Sequence, residues 1–215
     1  MSLVVRTLAD RIFDVVRDKI VAGSLTAEMP IRQDALAAEL GVSKIPLREA
    51  LARLEQENLL ISHANRGYFV RPLSAHEAEE IYALRLAIEP ATMGMASLAA
   101  NDEERAAAIA AMAALDDAAN GNLELVALRN REFHMALTRP SRRVLTMQLI
   151  ERLQMLSERY TCAHLKPAGR GDRAHLEHTT LLKTWLSRNS KRAEELAAAH
   201  IEGTFADLRR QLESL

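Results

Sequence analysis

The chain has 215 residues and a formal net charge of −1; 48% of its residues are hydrophobic, 27% are charged and only 4% are aromatic. This length allows one large or two modest domains, and a composition rich in Ala and Leu favours helices packed on helices. The single cysteine, Cys162, excludes an intrachain disulfide framework, and the longest apolar run, residues 106–115, has about half the length of a membrane span, so we expect a cytoplasmic protein without a membrane segment.

The N-terminal part of the chain has the pattern of a helix-turn-helix. Apolar residues at helical spacing predict a first helix over residues 7–22, and two short amphipathic helices follow within residues 33–57. These two helices meet at the break 41–43. Ser43 is placed to cap the second helix, and Pro46 falls in its first turn, where a missing N–H loses no intrahelical hydrogen bond.

The second of these helices carries side chains suited to DNA. We expect Lys44, Ile45 and Arg48 to be exposed near its N-terminus, with Arg53 a turn further on. Free backbone N–H groups and long cations at a helix start suit phosphates and guanine edges in a major groove. Residues 44–71 hold five cations against three acids, a thin surplus that favours a homodimer on a two-fold operator.

A predicted hairpin follows the helix-turn-helix directly. Two strand-like runs, residues 59–62 and 68–71, flank the turn at residues 64–67. A helix-turn-helix followed at once by a hairpin is a winged helix, and Asn65 and Arg66 would lie at the tip of its wing.

The remainder of the chain predicts a second, all-helical domain. Pro72 marks the boundary, which gives domains of residues 1–72 and 73–215, and residues 74–77 form a capping-box pattern that opens a new helix. No stretch of this half has strand character. The fold class is therefore mainly α, a winged helix-turn-helix followed by an antiparallel six-helix bundle. Its helices are predicted over about 75–99, 102–119, 123–138, 141–162, 173–188 and 191–213.

The sequence around the predicted turn resembles a known DNA-binding family. Residues 36–51 read LAAELGVSKIPLREAL, and Arg53-Leu54-Glu55 and Asn65-Arg66-Gly67 follow. This pattern resembles the DNA-binding domain of GntR-type bacterial transcription regulators, although Lys44 stands where Arg is usual and Ile45 where Thr is frequent. Lys44 cannot make the bidentate fork of Arg, and Ile45 offers only an apolar contact, such as one to a thymine methyl. The resemblance implies that double-stranded operator DNA is contacted by Ser43, Lys44, Ile45, Arg48, Asn65, Arg66 and Gly67.

Three histidines and one amide lie on predicted inward faces of the bundle. Asn130 and His134 are one turn apart on the third bundle helix, and His178 and His200 share faces with apolar residues on the fifth and sixth. These side chains could converge on a metal ion. Each histidine taken alone is more often a hydrogen-bonded core residue than a ligand.

The second domain also resembles a known domain. Residues 85–89, 130–134, 177–178 and 199–200 are similar to the FCD effector domain of the FadR branch of GntR-type regulators, in its smaller, VanR-like six-helix version. The resemblance implies a divalent metal held by Asp and three His, and here Asn130 stands for the Asp, with His134, His178 and His200. Three imidazoles and an amide suit Zn²⁺ or Ni²⁺ better than Ca²⁺.

An ion with neutral ligands keeps its full charge and attracts an anion. We therefore expect a small organic acid as the effector, its carboxylate completing the coordination sphere, with Arg85 as a second anchor through its guanidinium fork. The alternative for Arg85 is an ion pair with Glu89, one turn further along the same helix.

The preferred function is a homodimeric, ligand-responsive transcription repressor rather than an enzyme. Two alternatives stay open: a metal-dependent enzyme that activates water, and a regulator whose metal is purely structural. Against an enzyme, no phosphate loop or GxSxG motif is present, and Glu177 diverges by about 100° from the neighbouring His178 on a helix.

Overall fold

The computed structural model of the chain describes residues 6–121, 125–164 and 170–212. The chain divides into two compact units, Met1–Leu73 and Ser74–Leu215. The strands of the described residues are two short ones in the first unit, which confirms the mainly α fold class. No helix in this described part of the chain combines the length and the apolar character needed to cross a bilayer.

The first unit is a helical core followed by a hairpin. Helix α1 (Leu8–Val21) buries Ile12, Val16 and Ile20 against α3 (Lys44–Gln56), which contributes fully buried leucines at positions 47, 51 and 54. Thr7 begins α1 with a capping box, because its side chain accepts from the backbone N–H of Asp10 while the Asp10 carboxylate accepts from that of Thr7. The elements are α1 (Leu8–Val21), α2 (Gln33–Leu40), α3 (Lys44–Gln56), β1 (Leu60–His63) and β2 (Gly67–Val70).

The turn between α2 and α3 has the expected position but not the expected cap. Gly41 ends α2 with a φ of 65°, a left-handed conformation that favours glycine. Ser43 is the N-cap residue of α3 and has extended backbone angles, yet its side chain makes no capping hydrogen bond. The prediction that Ser43 begins the helix is confirmed, and the prediction that its hydroxyl caps it is wrong in this structure.

The wing is an antiparallel pair of strands in which Leu60 faces Val70 and His63 faces Gly67. Strand β1 begins one residue later than its predicted run and β2 begins one residue earlier, so the turn between them takes residues 64–66. Asn65 adopts a φ of 61° and Gly67 a φ of 79°, so the tight reversal uses residues that tolerate positive φ.

Within its described residues the second unit has the six predicted helices: α4 (Ala75–Ala99), α5 (Asp102–Gly121), α6 (Val126–Thr138), α7 (Val144–His164), α8 (Arg170–Leu186) and α9 (Ser190–Leu212). Helix α7 begins three residues later than predicted, because Arg139–Ser141 forms a short 3₁₀ turn and Arg142 then takes a left-handed φ of 56°. Residues 122–124, where the prediction began the third bundle helix, and residues 165–169 lie outside the described residues.

The core of the second unit surrounds Trp185, which is fully buried on α8. Its indole Nε1 donates to the backbone carbonyl of Leu137 at 3.0 Å, so the one polar atom of this ring is satisfied. Helix α4 packs against α6, α7, α8 and α9. A Cβ at Gly94 of α4 would meet the Ser190 carbonyl at 3.0 Å, so glycine allows the start of α9 to approach α4 closely.

Candidate functional site

The N-terminal turn of α3 is exposed. The side chain of Ile45 is 73% exposed, Lys44 Nζ lies 2.5 Å from Asp34 Oδ1, and Arg48 Nε donates to Gln33 Oε1 at 3.2 Å. Both cations therefore contact side chains from the start of α2, at an exposed surface that water and other ligands can reach. Exposed ion pairs of this kind contribute little to stability, so a phosphate can replace Asp34 at low cost.

A cleft of about 500 Å³ lies where the starts of α2 and α3 meet the wing. Four of the side chains around it are cationic, and one of these, Arg32, was missed by the sequence reasoning because it precedes α2 and belongs to no motif. The carboxylate of Asp34 is the only acidic group among the residues that line the cleft. Those residues are Ile31, Arg32, Gln33, Asp34, Ala35, Lys44, Arg48, Arg66 and Gly67.

The wing contributes one oriented cation to this cleft. The guanidinium of Arg66 lies over the Phe69 ring at 5.3 Å, and Asn65 and Arg66 are both exposed at the tip. Gly67 lies beside Gln33, whose Nε2 is 3.8 Å from the position that a Cβ would take. The predicted wing residues thus lie next to the predicted residues of α3.

Arg53 does not extend from the same surface. Its guanidinium stacks over Phe13 of α1 at 4.7 Å, and its Nη1 lies 2.5 Å from Asp10 Oδ1. The hydrogen bonds of Thr7, followed by that of Arg53, lower the pKa of Asp10 to about 2. Arg53 is exposed, as expected, but its guanidinium connects α3 to α1 and is not among the groups that line the cleft.

In the second unit, three histidines from three helices meet in the interior. His134 of α6, His178 of α8 and His200 of α9 are only 1%, 4% and 9% exposed. Their candidate ligand nitrogens all lie within 4.8 Å of one another, and His178 Nε2 is 3.3 Å from His200 Nε2. The convergence that the helix faces suggested is present for these three side chains.

The donor set fits a transition metal. Two nitrogens bound tetrahedrally to Zn²⁺ at about 2.0–2.1 Å are separated by about 3.3–3.4 Å, which is the separation of His178 Nε2 and His200 Nε2. Both nitrogens of His134 are buried and have no hydrogen-bond partner among the described residues. Burial, followed by the charges of His200, His178 and Arg85, holds the pKa of His134 well below its ordinary value of 6.5. A buried, neutral imidazole with an unused lone pair can act as a metal ligand.

The fourth predicted ligand, Asn130, lies one turn before His134 on α6 and is half-buried. Its membership of the ligand set stays a prediction. His175, three residues before His178, is exposed and pairs with Asp116, with 2.7 Å between Nδ1 and Oδ1.

Glu177 contacts a member of the triad, which the sequence reasoning missed. Its Oε2 lies 2.7 Å from His200 Nδ1, so the carboxylate of α8 reaches across to α9. The 100° divergence between Glu177 and His178 was used to separate Glu177 from the site. That divergence instead lets the two side chains approach His200 from different sides. This contact depends on where α9 packs against α8, which the sequence pattern does not specify.

Arg85 forms an ion pair with Glu89, the partner that was considered as the alternative to an effector. Its Nε and Nη2 donate to Glu89 Oε1 and Oε2 at 2.7 and 3.2 Å, and its Nη1 donates to Ser157 Oγ at 3.0 Å. Gln154 Nε2 also donates to Glu89 Oε2 at 2.9 Å. The fork that was expected to hold an effector carboxylate therefore holds Glu89.

Comparison with known proteins agrees with both units. The description "Bacterial regulatory proteins, gntR family" matches residues 8–70, and the FCD domain matches residues 80–203, which is more than half of the chain. The chain belongs to the GntR family and carries an FCD domain. As a GntR-family protein it is a transcription regulator and not an enzyme, as the sequence predicted.

Several relatives match the GntR-family chain over most of its length. It is 29% identical to the HTH-type transcriptional regulator BphR of Paraburkholderia xenovorans (strain LB400), over 95% of this chain and 86% of BphR. It is 28% identical to the HTH-type transcriptional repressor GlaR of Escherichia coli (strain K12), over 86% of this chain and 88% of GlaR. Its fold matches that of E. coli McbR/YncC with a TM-score of 0.86 at 20% identity, over 96% and 99% of the two chains.

Proposed function

We propose that this GntR-family regulator is a repressor that binds operator DNA through α3 and the wing, and that a small carboxylate metabolite bound at a metal in the FCD domain sets its affinity for the operator. The observation that carries the effector part of the proposal is His134, a buried imidazole whose two nitrogens lack partners among the described residues while His178 and His200 lie beside it.

The exposed start of α3 supports the DNA contacts. Lys44, Ile45 and Arg48 extend from a helix N-terminus whose backbone N–H groups can bind phosphate, and Arg66 of the wing lines the same cleft. Phosphate binding by such cations makes operator affinity depend on salt. Ser43, Asn65 and Gly67 complete the proposed contact set through backbone groups and short side chains.

The histidine triad supports a metal that uses nitrogen ligands. We propose that His134, His178 and His200, with Asn130 as the fourth ligand, hold Zn²⁺ or Ni²⁺. All four donors are neutral, so the ion would keep its charge and attract an anionic effector. Arg85 can add a second anchor only through Nη1, since an effector carboxylate can replace the neutral Ser157 hydroxyl there more readily than it can replace the carboxylate of Glu89.

An apolar exposed face on α4 supports a homodimer. Between residues 83 and 99 the exposed positions of α4 carry only Ala and Leu, and the adjacent α7 exposes Val144, Leu145 and Leu149. We propose a second copy of this chain as the occupant of this face, because a symmetric pair of DNA-binding units suits a two-fold operator. The exposed α4 residues are Ala83, Leu84, Ala87, Ala91, Leu98 and Ala99.

A mobility-shift experiment tests the proposal. DNA from the region upstream of the protein's own gene is titrated with metal-free, Zn²⁺-loaded and Ni²⁺-loaded protein, with and without acetate, L-lactate, succinate and citrate. We expect retention of the DNA, and a change in its affinity when one of the acids is added to metal-loaded protein. His134→Ala should remove the response to the acid and leave the DNA retained.

The strong burial of the triad favours one alternative, a purely structural metal. In that case metal would raise the stability of the FCD domain, but no acid would change DNA binding in the same experiment.

A further inference from the structure

Two neighbouring residues of α8 contact opposite sides of one imidazole of α9. Glu177 Oε2 lies 2.7 Å from Nδ1 of His200, and His178 Nε2 lies 3.3 Å from Nε2 of the same ring. Successive residues of a helix point about 100° apart, so Glu177 and His178 can straddle the ring in this way. His200 therefore presents one nitrogen to a carboxylate and the other to the interior of the triad.

This arrangement determines which nitrogen of His200 carries the proton and which carries the lone pair. A neutral imidazole has one N–H donor and one lone pair, and an ionised carboxylate can only accept hydrogen bonds. The hydrogen bond to Glu177 therefore places the proton on Nδ1 and leaves the lone pair on Nε2. A metal ligand must offer a lone pair, and Nε2 is the nitrogen that faces His178.

We infer that Glu177 is a positioning residue that holds His200 in the Nδ1–H tautomer and so prepares Nε2 to bind the divalent metal. The inference rests on the proposed function, since it assumes the metal site. It concerns a residue outside the ligand set, and it explains why a carboxylate lies at the side of the ring away from the triad.

The surroundings of Glu177 keep its carboxylate in place. Arg173 Nε, one turn earlier on α8, lies 3.5 Å from the other oxygen, Oε1, and Arg173 also pairs with Asp207 on α9. The side chain of His200 is only 10% exposed, so the imidazole end of the hydrogen bond is shielded from water, while that of Glu177 is 35% exposed. The negative charge of Glu177 also makes His200 a stronger donor to a cation, although all four proposed ligands are themselves neutral.

The test compares Glu177→Gln with Glu177→Ala and with a matched control. Glutamine keeps the size of the side chain but can either donate or accept, so it removes the preference for one tautomer. Glu202→Gln makes the same change of charge on an exposed position of α9, two residues after His200. The folding of each variant is checked by its free energy of unfolding.

Two measurements are made on each protein. Nitrogen NMR of the imidazoles in the metal-free state reports the His200 tautomer, and competition with a chromogenic chelator gives the Zn²⁺ affinity. We expect wild type and E202Q to hold His200 as the Nδ1–H tautomer and to bind Zn²⁺ equally. E177Q and E177A should lose the single tautomer. They should also bind Zn²⁺ about 10- to 100-fold more weakly, which is the usual effect of mutating a residue that hydrogen-bonds to a metal ligand.

The outcomes separate the inference from the proposal on which it rests. Unchanged tautomer and unchanged Zn²⁺ affinity in E177Q would overturn the role of Glu177 and leave the metal site intact. A wild-type protein that binds neither Zn²⁺ nor Ni²⁺ would overturn the metal site and the role of Glu177 with it.

Discussion

Arg85 and Glu89 form a buried two-pronged ion pair along one turn of α4, with Nε to Oε1 at 2.7 Å and Nη2 to Oε2 at 3.2 Å. The two side chains are 7% and 0% exposed, and Gln154 and Ser157 of α7 complete their hydrogen bonds. The pair therefore links α4 to α7 inside the FCD domain. Its charges are compensated only as long as both partners are present.

Removing one partner should be costly. Arg85→Ala leaves the Glu89 carboxylate buried without its cation, so we expect the free energy of unfolding in urea to fall by about 3–5 kcal/mol. The double variant R85M/E89L replaces the pair by apolar side chains of similar volume and should recover most of this loss. A single variant as stable as wild type would show that water or another cation compensates Glu89.

Metal-free protein should lose stability as the pH falls through 6.5. The folded state holds the pKa of His134 well below 6.5, so below that pH the unfolded chain takes up a proton that the folded chain does not, and the free energy of unfolding decreases. His134→Gln should flatten this dependence between pH 7.5 and 5.5, as measured by urea titrations. His76→Gln, which removes an exposed imidazole at the start of α4, is the control and should keep the wild-type slope.

Acid stability of the first unit should depend on Asp10. Its pKa in the folded state is about 2 because Thr7 and then Arg53 donate hydrogen bonds to it, against an ordinary value of 3.8. The stabilisation is present above pH 3.8 and is lost as the pH falls toward 2. Asp10→Asn should weaken this dependence in the N-terminal unit, followed by circular dichroism. An identical pH profile for both proteins would exclude Asp10 as a source of acid sensitivity.

The cations of α3 should differ in what they contribute to DNA binding. Lys44→Ala removes a phosphate contact, so it should weaken binding to all sequences and reduce the salt slope of log K by about 1. Arg48→Ala should cost about 1–3 kcal/mol on the operator and relax its specificity if the guanidinium reads a guanine. Lys191→Ala, an exposed cation of α9, is the control. An equal loss of DNA affinity in all three variants would contradict the assignment of α3 as the helix that contacts DNA.

Charge on the exposed face of α4 should dissociate the proposed dimer. Leu84→Glu buries a carboxylate in an apolar interface, so we expect the dimer to weaken by about 2 kcal/mol or more, which is about 30-fold in its dissociation constant. Sedimentation equilibrium measures this change. Leu176→Glu introduces the same charge at an exposed leucine of α8 and should leave the assembly unchanged.

Much of the fold followed from local sequence patterns. The break at Gly41 and the helix start at Ser43 depend on backbone preferences of a few adjacent residues, and periodicity alone gave each bundle histidine an inward face. These features need no knowledge of neighbouring elements. They were therefore available from the sequence.

The partners of long polar side chains were harder to predict from the sequence. Arg53 stacks on Phe13 and pairs with Asp10, forty-three residues earlier, and Lys44 pairs with Asp34 of a different helix. Such contacts depend on how two elements pack, which periodicity does not specify. Arg85 and Glu89 are the exception, because a spacing of four residues places them together on any helix.

The three histidines belong to helices that are distant in the sequence. An ion held by His134, His178 and His200 would cross-link the chain and close two loops, one from α6 to α8 and one from α8 to α9. None of these helices could then open without releasing the ion. Their amide hydrogens would exchange with solvent as one cooperative block in loaded protein, and at separate rates after chelation.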